Sequence, residues 1–384
     1  MLTEAPHFST RIGNIGESRT TRISTLTQTL RRQGREIISL AVGEPDFDTP
    51  EPIVQATRQA LQEQRTRYGP VPGEPELRAR LAERFTSFGY DRNNILITNG
   101  AKQALFSLFQ VLCDSGDEVI IPRPCWVSFT EQVKLAGGLP VLVDTGPDFQ
   151  LDSQRIARAV TERTRAILVN TPNNPTGAVY EKAALAETAR VAAERGVYLI
   201  ADEAYHAFAY GERSFRSALE SAPDPQRVIT VRSFSKQYNM TGFRLGYIAA
   251  DRAIVQSVAR LQSHLTGNVC TFAQFGAMAA LEMNPSVVEE RRNTLQQRRD
   301  LAYKLTRALF KCVRGEGAFY LFPDVRSHLR NDETSEDLAA RLLHEAGVAV
   351  VPGEAFHGPG HIRISYGTSE ANLRRAFDKI KGVL

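Results

Sequence analysis

Short apolar runs recur through the first two thirds of the chain: Ile95–Thr98, Glu118–Ile121, Pro140–Val143, Ala166–Val169, Tyr198–Ala201, Val228–Val231 and Gly246–Ala249. Runs of this length, rich in Val and Ile and bounded by polar or turn-forming residues, predict buried strands. Between several of them apolar residues recur at helical spacing, as in Gln103–Leu112 and Ala183–Glu194. Strands that alternate with amphipathic helices predict an α/β fold: one mostly parallel seven-stranded sheet, covered on both faces.

The pattern changes after residue 282. Pro285–Phe310 reads as a long charged helix. Ala318–Phe322, a helical Glu336–Ala346, Val348–Val351 and His361–Ser365 follow, and together they predict a smaller α+β domain. Leu40–Val42, near the N-terminus, is expected to add a strand to it. The expected division is a large domain over 46–282 and a discontinuous small domain from 1–45 plus 283–384.

Composition narrows the possibilities. With 384 residues, 42% hydrophobic and 23% charged, the chain is ordinary for a globular protein and long enough for two domains. The formal net charge of +4 is small, and no basic tract interleaves with aromatics. Arg291-Arg292 and Arg298-Arg299 fall among Glu and Gln on a helical pattern and read as a solvated face, so nucleic acid is not an expected partner. No run reaches about 18 apolar residues, so no membrane span is expected. Met1–Thr10, with Glu4 and Pro6, lacks the apolar core of a signal peptide, and the cytoplasm is the expected compartment. Cys113, Cys125, Cys270 and Cys312 form no CxxC and have no His cluster beside them. They are expected to be reduced and mostly buried, with no metal.

The candidate chemistry centres on Ser233-Phe234-Ser235-Lys236, which follows the Val228–Val231 run, and on Arg244, eight positions after the lysine. A lysine forms a Schiff base with an aldehyde and, once released, serves as a neutral-amine base. Two hydroxyls and a guanidinium suit a phosphate dianion. An aldehyde and a phosphate in one ligand describe pyridoxal 5'-phosphate (PLP). A surface turn and an unrelated arginine would account for these residues alone, so their company matters. Asn99-Gly100-Ala101-Lys102 opens a helix whose free N–H groups can seat a phosphate, although an ordinary βα turn has the same composition. It is neither GxGxxG nor a Walker loop. Asn174, between prolines in Thr171–Gly177, either simply makes a turn or donates an N–H to an anionic ring oxygen. Asp202 ends an apolar strand, where a carboxylate is costly unless it meets a cation such as a protonated pyridine nitrogen. Tyr205 can then reach the ring's phenolic oxygen; a capping Asp and a core Tyr are the plainer alternatives. Trp126, the one tryptophan, either stacks on a flat ring or packs into a core. Arg363, in an alternating strand, is either a structural ion-pair partner or a fork for a substrate carboxylate. All of these lie just beyond predicted strands, apart from Arg244 and Arg363, at the edge where open α/β sheets hold ligands.

Taken in order along the chain, these residues resemble the class I, fold-type I PLP-dependent aminotransferases, and most of all the bacterial aspartate (aspartate/prephenate) aminotransferase subgroup. The resemblance runs through Val42–Asp48, Tyr68-Gly69-Pro70, Gly100–Leu105, Asn173–Gly177, Asp202–Tyr205, Ser233–Lys236, Met240–Tyr247, Val351-Pro352-Gly353 and Arg363–Tyr366. It implies that Lys236 carries the Schiff base, Asp202 pairs with the pyridine nitrogen, Asn174 and Tyr205 contact the phenolic oxygen, and Trp126 stacks on the ring. It implies a phosphate held by Arg244, Ser233, Ser235 and the Gly100-Ala101-Lys102 turn, and by Tyr68 from the partner subunit of a homodimer. Gly43 and Arg363, with Trp126 and Asn174, would border the substrate and hold its α-carboxylate. Lys102 would meet a distal carboxylate, which implies ping-pong transfer between aspartate, or another dicarboxylic amino acid, and a 2-oxo acid such as 2-oxoglutarate. An aromatic, alanine or prephenate aminotransferase and a β-lyase are the alternatives within the family. A non-catalytic regulatory module is expected to need a DNA-binding domain, for which the roughly forty residues before Gly43 are too few. Two segments depart from close relatives. Glu17-Ser18-Arg19-Thr20 stands where they carry Lys-Pro-Ser-Ala-Thr, so that Arg19 either supports a second carboxylate or faces solvent. Ser263–Val269 lacks their Ser-Asn-Pro run.

Overall fold

The computed structural model describes residues 8–16, 19–211 and 214–384. The readings made on residues 1–7 and on Glu17 and Ser18 lie outside them. In chain order the strands are β1 (Ile38–Ser39), β2 (Ile95–Thr98), β3 (Glu118–Arg123), β4 (Leu139–Asp144), β5 (Thr164–Asn170), β6 (Tyr198–Asp202), β7 (Val228–Ser233), β8 (Gly246–Ala249), β9 (Tyr320–Leu321), β10 (Val348–Ala349), β11 (Val351–Pro352) and β12 (Ile362–Ser365).

The seven predicted strands form one sheet, ordered β2-β8-β7-β6-β5-β3-β4. All neighbours are parallel except β8, which runs antiparallel to both β2 and β7. Side chains alternate across a strand, and here both faces are apolar. Leu199 and Ala201 of β6 join a core with Ile95, Ile97, Ile167 and Val169, whereas Ile200 joins a second core with Leu96, Leu168 and Ile229. A sheet buried on both sides reads in sequence as continuous apolar runs, which is why these strands were visible.

The C-terminal elements pack as expected in kind but not in detail. The strand near the N-terminus is Ile38–Ser39, not Leu40–Val42; it pairs in parallel with β10, and Leu40 N–H then donates to Ala349 O at 2.8 Å. The apolar run Ile37–Val42 carries no polar residue except Ser39 to mark its register. Val348–Val351 is not one strand: β10 pairs with β1, while β11 joins the antiparallel sheet β11-β12-β9. The helix expected at Glu336–Ala346 starts at Ser335, capped by Thr334, and its last turn, Leu342–Ala346, widens to a π-turn. A third core, built from Leu338, Leu342, Val350, Ile362, Ile364 and Phe377 among others, also takes in Leu40, Tyr205 and Phe208.

The long helix Ser286–Arg307 corrects a second expectation. Its arginines are not a uniformly solvated face. Arg299 is buried over the Tyr210 ring, and Arg291 and Arg298 flank Phe47 at 5.4 and 5.1 Å. Of the cysteines, Cys113 and Cys125 are buried, Cys312 is half-buried and Cys270 is exposed. Among the described residues no helix is long and apolar enough to cross a membrane.

Candidate active site

The carboxyl edge of the large sheet and the three-stranded sheet border one cavity of about 630 Å³. Gly43, Ala101, Lys102, Trp126, Asn174, Asp202, Tyr205, Ser233, Ser235, Lys236, Arg244 and Arg363 all line it. Two sequence candidates do not. Gly100 lies just behind the wall, and Tyr68 is 99% exposed on a loop, away from this cavity.

Lys236 sits in a single helical turn, Phe234–Gln237, that continues β7. Ser233 caps it, its Oγ accepting from Ser235 N–H at 3.1 Å. Lys236 Nζ donates to Gly43 O at 2.7 Å. Burial pushes its ammonium down to about 8; Glu44 opposes this, and Arg244, Arg363 and Lys102 reinforce it. The cavity therefore holds a lysine readily available as the free amine.

Asp202 ends β6 and is almost wholly buried. Its Oδ1 accepts from Ala204 N–H at 3.1 Å, and burial pushes its carboxyl up to about 7. Such a carboxylate is under-coordinated: it is shaped for a cation that arrives with a ligand.

Asn174 and Arg363 form one unit. Arg363 is 3% exposed; its Nη1 donates to Asn174 Oδ1 at 2.9 Å and its Nη2 to Ala41 O at 2.8 Å. Tyr320 and Phe356 lie against its plane at 4.4 and 5.0 Å, and its Nε has no hydrogen-bond partner among the described residues. A guanidinium only donates, so it fixes which end of the Asn174 amide faces it and turns the NH₂ away. Asn174 N–H in turn donates to Asn170 Oδ1 at 2.9 Å. Tyr205 shares a 3.0 Å hydrogen bond with the Tyr320 hydroxyl.

The remaining cations collect around the start of the helix Gly100–Leu112. Arg244 takes a left-handed φ of 57° and donates to Thr241 O at 2.9 Å. A Cβ on Gly100, whose φ is +77°, would stand 2.9 Å from Arg244 Nη2, so glycine is what lets the guanidinium close on the turn. Gly246 serves the same packing from below, since a Cβ there would meet Ala101 N at 2.7 Å. Lys102 Nζ lies 4.7 Å from the centre of the Trp126 ring. Partial burial, followed by Arg244, lowers the Lys102 ammonium from its ordinary range.

The cavity also has a wall that sequence reasoning missed. The helix Arg19–Arg32 contributes Thr20, Thr21, Ser24, Gln28 and Arg31, spaced along one stripe, while its Ile23 and Leu30 pack on Ile37, Leu343 and Ala349. The polar–apolar periodicity of Arg19–Arg32 was the available signal. Arg19 is not on this wall; it pairs with Glu336 at 3.6 Å, beside Arg22 at 4.0 Å. Tyr320 and Glu44 line the cavity as well and were not anticipated.

PLP fits this donor set. The buried carboxylate of Asp202 has no ion-pair partner among the described residues, Asn174 presents an NH₂, Lys236 supplies an amine, and Arg244 with the N–H groups of the first helical turn at Gly100 suits a phosphate.

Comparison with known proteins agrees. The family model for aminotransferase class I and II matches residues 35–380. The aspartate/prephenate aminotransferase of Thermus thermophilus is 42% identical over 98% of both chains, and the aspartate aminotransferase of Geobacillus stearothermophilus is 38% identical over 96% of this chain and 97% of its own. The solved Thermus thermophilus aspartate aminotransferase with maleate superposes with a TM-score of 0.94 at 42% identity, covering 99% of this chain and 100% of that one. The chain thus belongs to the aminotransferase class I and II family and is a PLP-dependent aminotransferase.

Proposed function

We propose that the chain moves an amino group between L-aspartate, or another dicarboxylic amino acid, and a 2-oxo acid such as 2-oxoglutarate, in two half-reactions. The observation that carries this reading is the pair of cations with separate settings in one cavity: Arg363 buried between aromatic rings, and Lys102 over Trp126. One suits the α-carboxylate, the other a distal carboxylate. The names of the relatives support it, and one similar enzyme is solved with maleate, itself a dicarboxylate.

When bound, PLP supplies an aldehyde that takes up the amino group and a ring that accepts electrons from the substrate's Cα. The chain's own residues do the rest. Arg363 holds the α-carboxylate through its fork and is itself held by Asn174 and Ala41, so little side-chain entropy is lost on binding. Lys236, as a neutral amine, would take the proton from the substrate's Cα as base and give it back as acid to the carbon on the far side of the amino nitrogen, two bonds away. Asp202 would keep a proton on the ring nitrogen. Asn174 and Tyr205 would hold the phenolic oxygen. Arg244, Ser233, Ser235, Gly100 and Ala101 would hold the phosphate, and Trp126 would cover the ring.

We further propose the division into a large domain over 46–282 and a small one from 1–45 plus 283–384, and a cytoplasmic homodimer. In that dimer Tyr68, at 99% exposure on its loop, reaches the phosphate in the partner's site.

The test is absorbance of the PLP-loaded protein in separate cuvettes with aspartate, glutamate, an aromatic amino acid, alanine and arogenate, the amino acid made from prephenate. Bleaching with aspartate and glutamate alone supports the reading; bleaching mainly with one of the others transfers the assignment to it. Lys102→Ala is expected to cost dicarboxylates about 1.5–3 kcal/mol in kcat/KM, the range for a hydrogen bond to a charged group, and to cost alanine little. Equal losses for both would remove Lys102 from the specificity role.

A further inference from the structure

Strands β6 and β7 each set one residue at the cavity and its neighbour in a buried ion pair. Asp202 and Ser233 line the cavity. Glu203, beside Asp202, and Arg232, beside Ser233, pair with each other, Arg232 Nε and Nη2 both lying 2.9 Å from Glu203 Oε2. The Glu203 side chain is 0% exposed. Its Oε1 accepts from Ser217 Oγ at 2.5 Å and from Ala218 N–H at 3.2 Å. The Arg232 guanidinium lies between Phe85 and Phe215, at 5.3 and 5.8 Å from their centres. Neither Glu203 nor Arg232 lines the cavity.

A fully buried carboxylate one residue from Asp202 is not neutral in its consequences. Unpaired, it would hold Asp202 protonated or act on the same ligand cation. Breaking such a pair leaves an uncompensated charge in a medium where charges act over several ångströms. The pair also ties the ends of the two strands that carry Asp202 and lead into Lys236, where Glu203 N–H already donates to Val231 O at 2.8 Å.

We propose that Glu203 and Arg232 are positioning residues for the transfer reaction. Paired, they cancel a second buried carboxylate and lock the ends of β6 and β7, so that Asp202 alone sets the charge facing the cofactor's ring nitrogen. This rests on the reading of Asp202 as the ring-nitrogen partner. The charged and titratable groups facing the cavity side are Lys236, Lys102, Arg244, Arg363, Glu44, Tyr205 and Tyr320. Those around the pair are His206, Arg84, Tyr238 and Tyr247. His206, with Nδ1 2.9 Å from Glu203 O, is kept neutral by burial and by the adjacent Arg232.

The test is a pH titration of the absorbance of the PLP-loaded protein. Arg232→Met leaves a negative charge unbalanced and should raise the apparent pKa of the bound chromophore by about half a unit to one unit. Glu203→Gln leaves a positive charge and should lower it by a similar amount, and the double variant should return to within about 0.2 unit of wild type. Opposite signs are the signature of charge; general structural damage would move both the same way. Shifts of one sign, or none in either single variant, overturn the proposal. An Arg232→Met protein too unstable to purify leaves Glu203→Gln, which carries its own predicted sign. Loss of folding in both single variants beside a wild-type-like double variant would make the pair a folding element only and overturn the proposal as well. Asp202→Asn is the control: if it leaves the chromophore's pKa unmoved, the assignment of Asp202 is at fault rather than that of the pair.

Discussion

Arg363 and Arg244 face the same cavity from different surroundings. Arg363 is buried, gripped by Asn174 and Ala41 and flanked by two aromatic rings, so it exists in one arrangement before any ligand arrives. Arg244 is exposed, anchored through Thr241 O, and placed by its own left-handed backbone and by the missing side chain of Gly100. The first setting suits a small molecule that must be taken up and released every cycle in the same pose, where a pre-formed fork in a dry site gives orientation. The second suits a group that enters once and stays, where solvent access and several weaker contacts are enough.

The sharpest way to break that contrast is to remove what stands between the two. Lys236→Ala should abolish turnover while PLP still binds, non-covalently, at both ends; turnover comparable to wild type would sink the assignment. Next in size, Arg363→Lys keeps the charge but loses the fork. It should lower kcat/KM for amino acids by about a hundredfold or more, roughly 3 kcal/mol, with PLP affinity unchanged. Arg244→Gln should do the reverse. PLP should bind about tenfold more weakly, some 1–2 kcal/mol, with near-normal kcat once PLP saturates. If both variants weakened cofactor and substrate alike, the two ends would not be distinct.

The smallest effect is one of pH. Because burial depresses the Lys236 ammonium to about 8, below its unfolded value, the neutral amine gains population as pH rises through 8. The rate of PLP uptake by the cofactor-free protein, followed by absorbance from pH 6.5 to 9.5, should climb through that value and level off above it. A flat profile would contradict the depressed lysine.

The large sheet was legible because burial on both faces leaves its strands as uninterrupted apolar runs, and the site was legible because its residues follow those runs. Where burial is less even, the reading failed. Ile37–Val42 is apolar apart from Ser39, so nothing marked Ile38–Ser39 as the paired residues. Val350 gave no sign that the chain changes sheets between Ala349 and Val351. Arg299 was invisible as a buried residue because the Tyr210 ring that it covers lies 89 positions away in the chain. Asn174 was legible as a candidate and does line the cavity, but its grip on Arg363 spans 189 positions and leaves no trace in local pattern.

The helix Arg19–Arg32 carries none of the groups assigned to proton transfer or to the cofactor, yet its hydroxyl and amide stripe forms part of the cavity wall. Part of the cavity wall is therefore written on a stretch of polypeptide separate from the reactive residues. Retuning which amino acids the protein accepts can begin at Ser24 and Gln28, on an exposed helix, leaving the reactive centre as inherited.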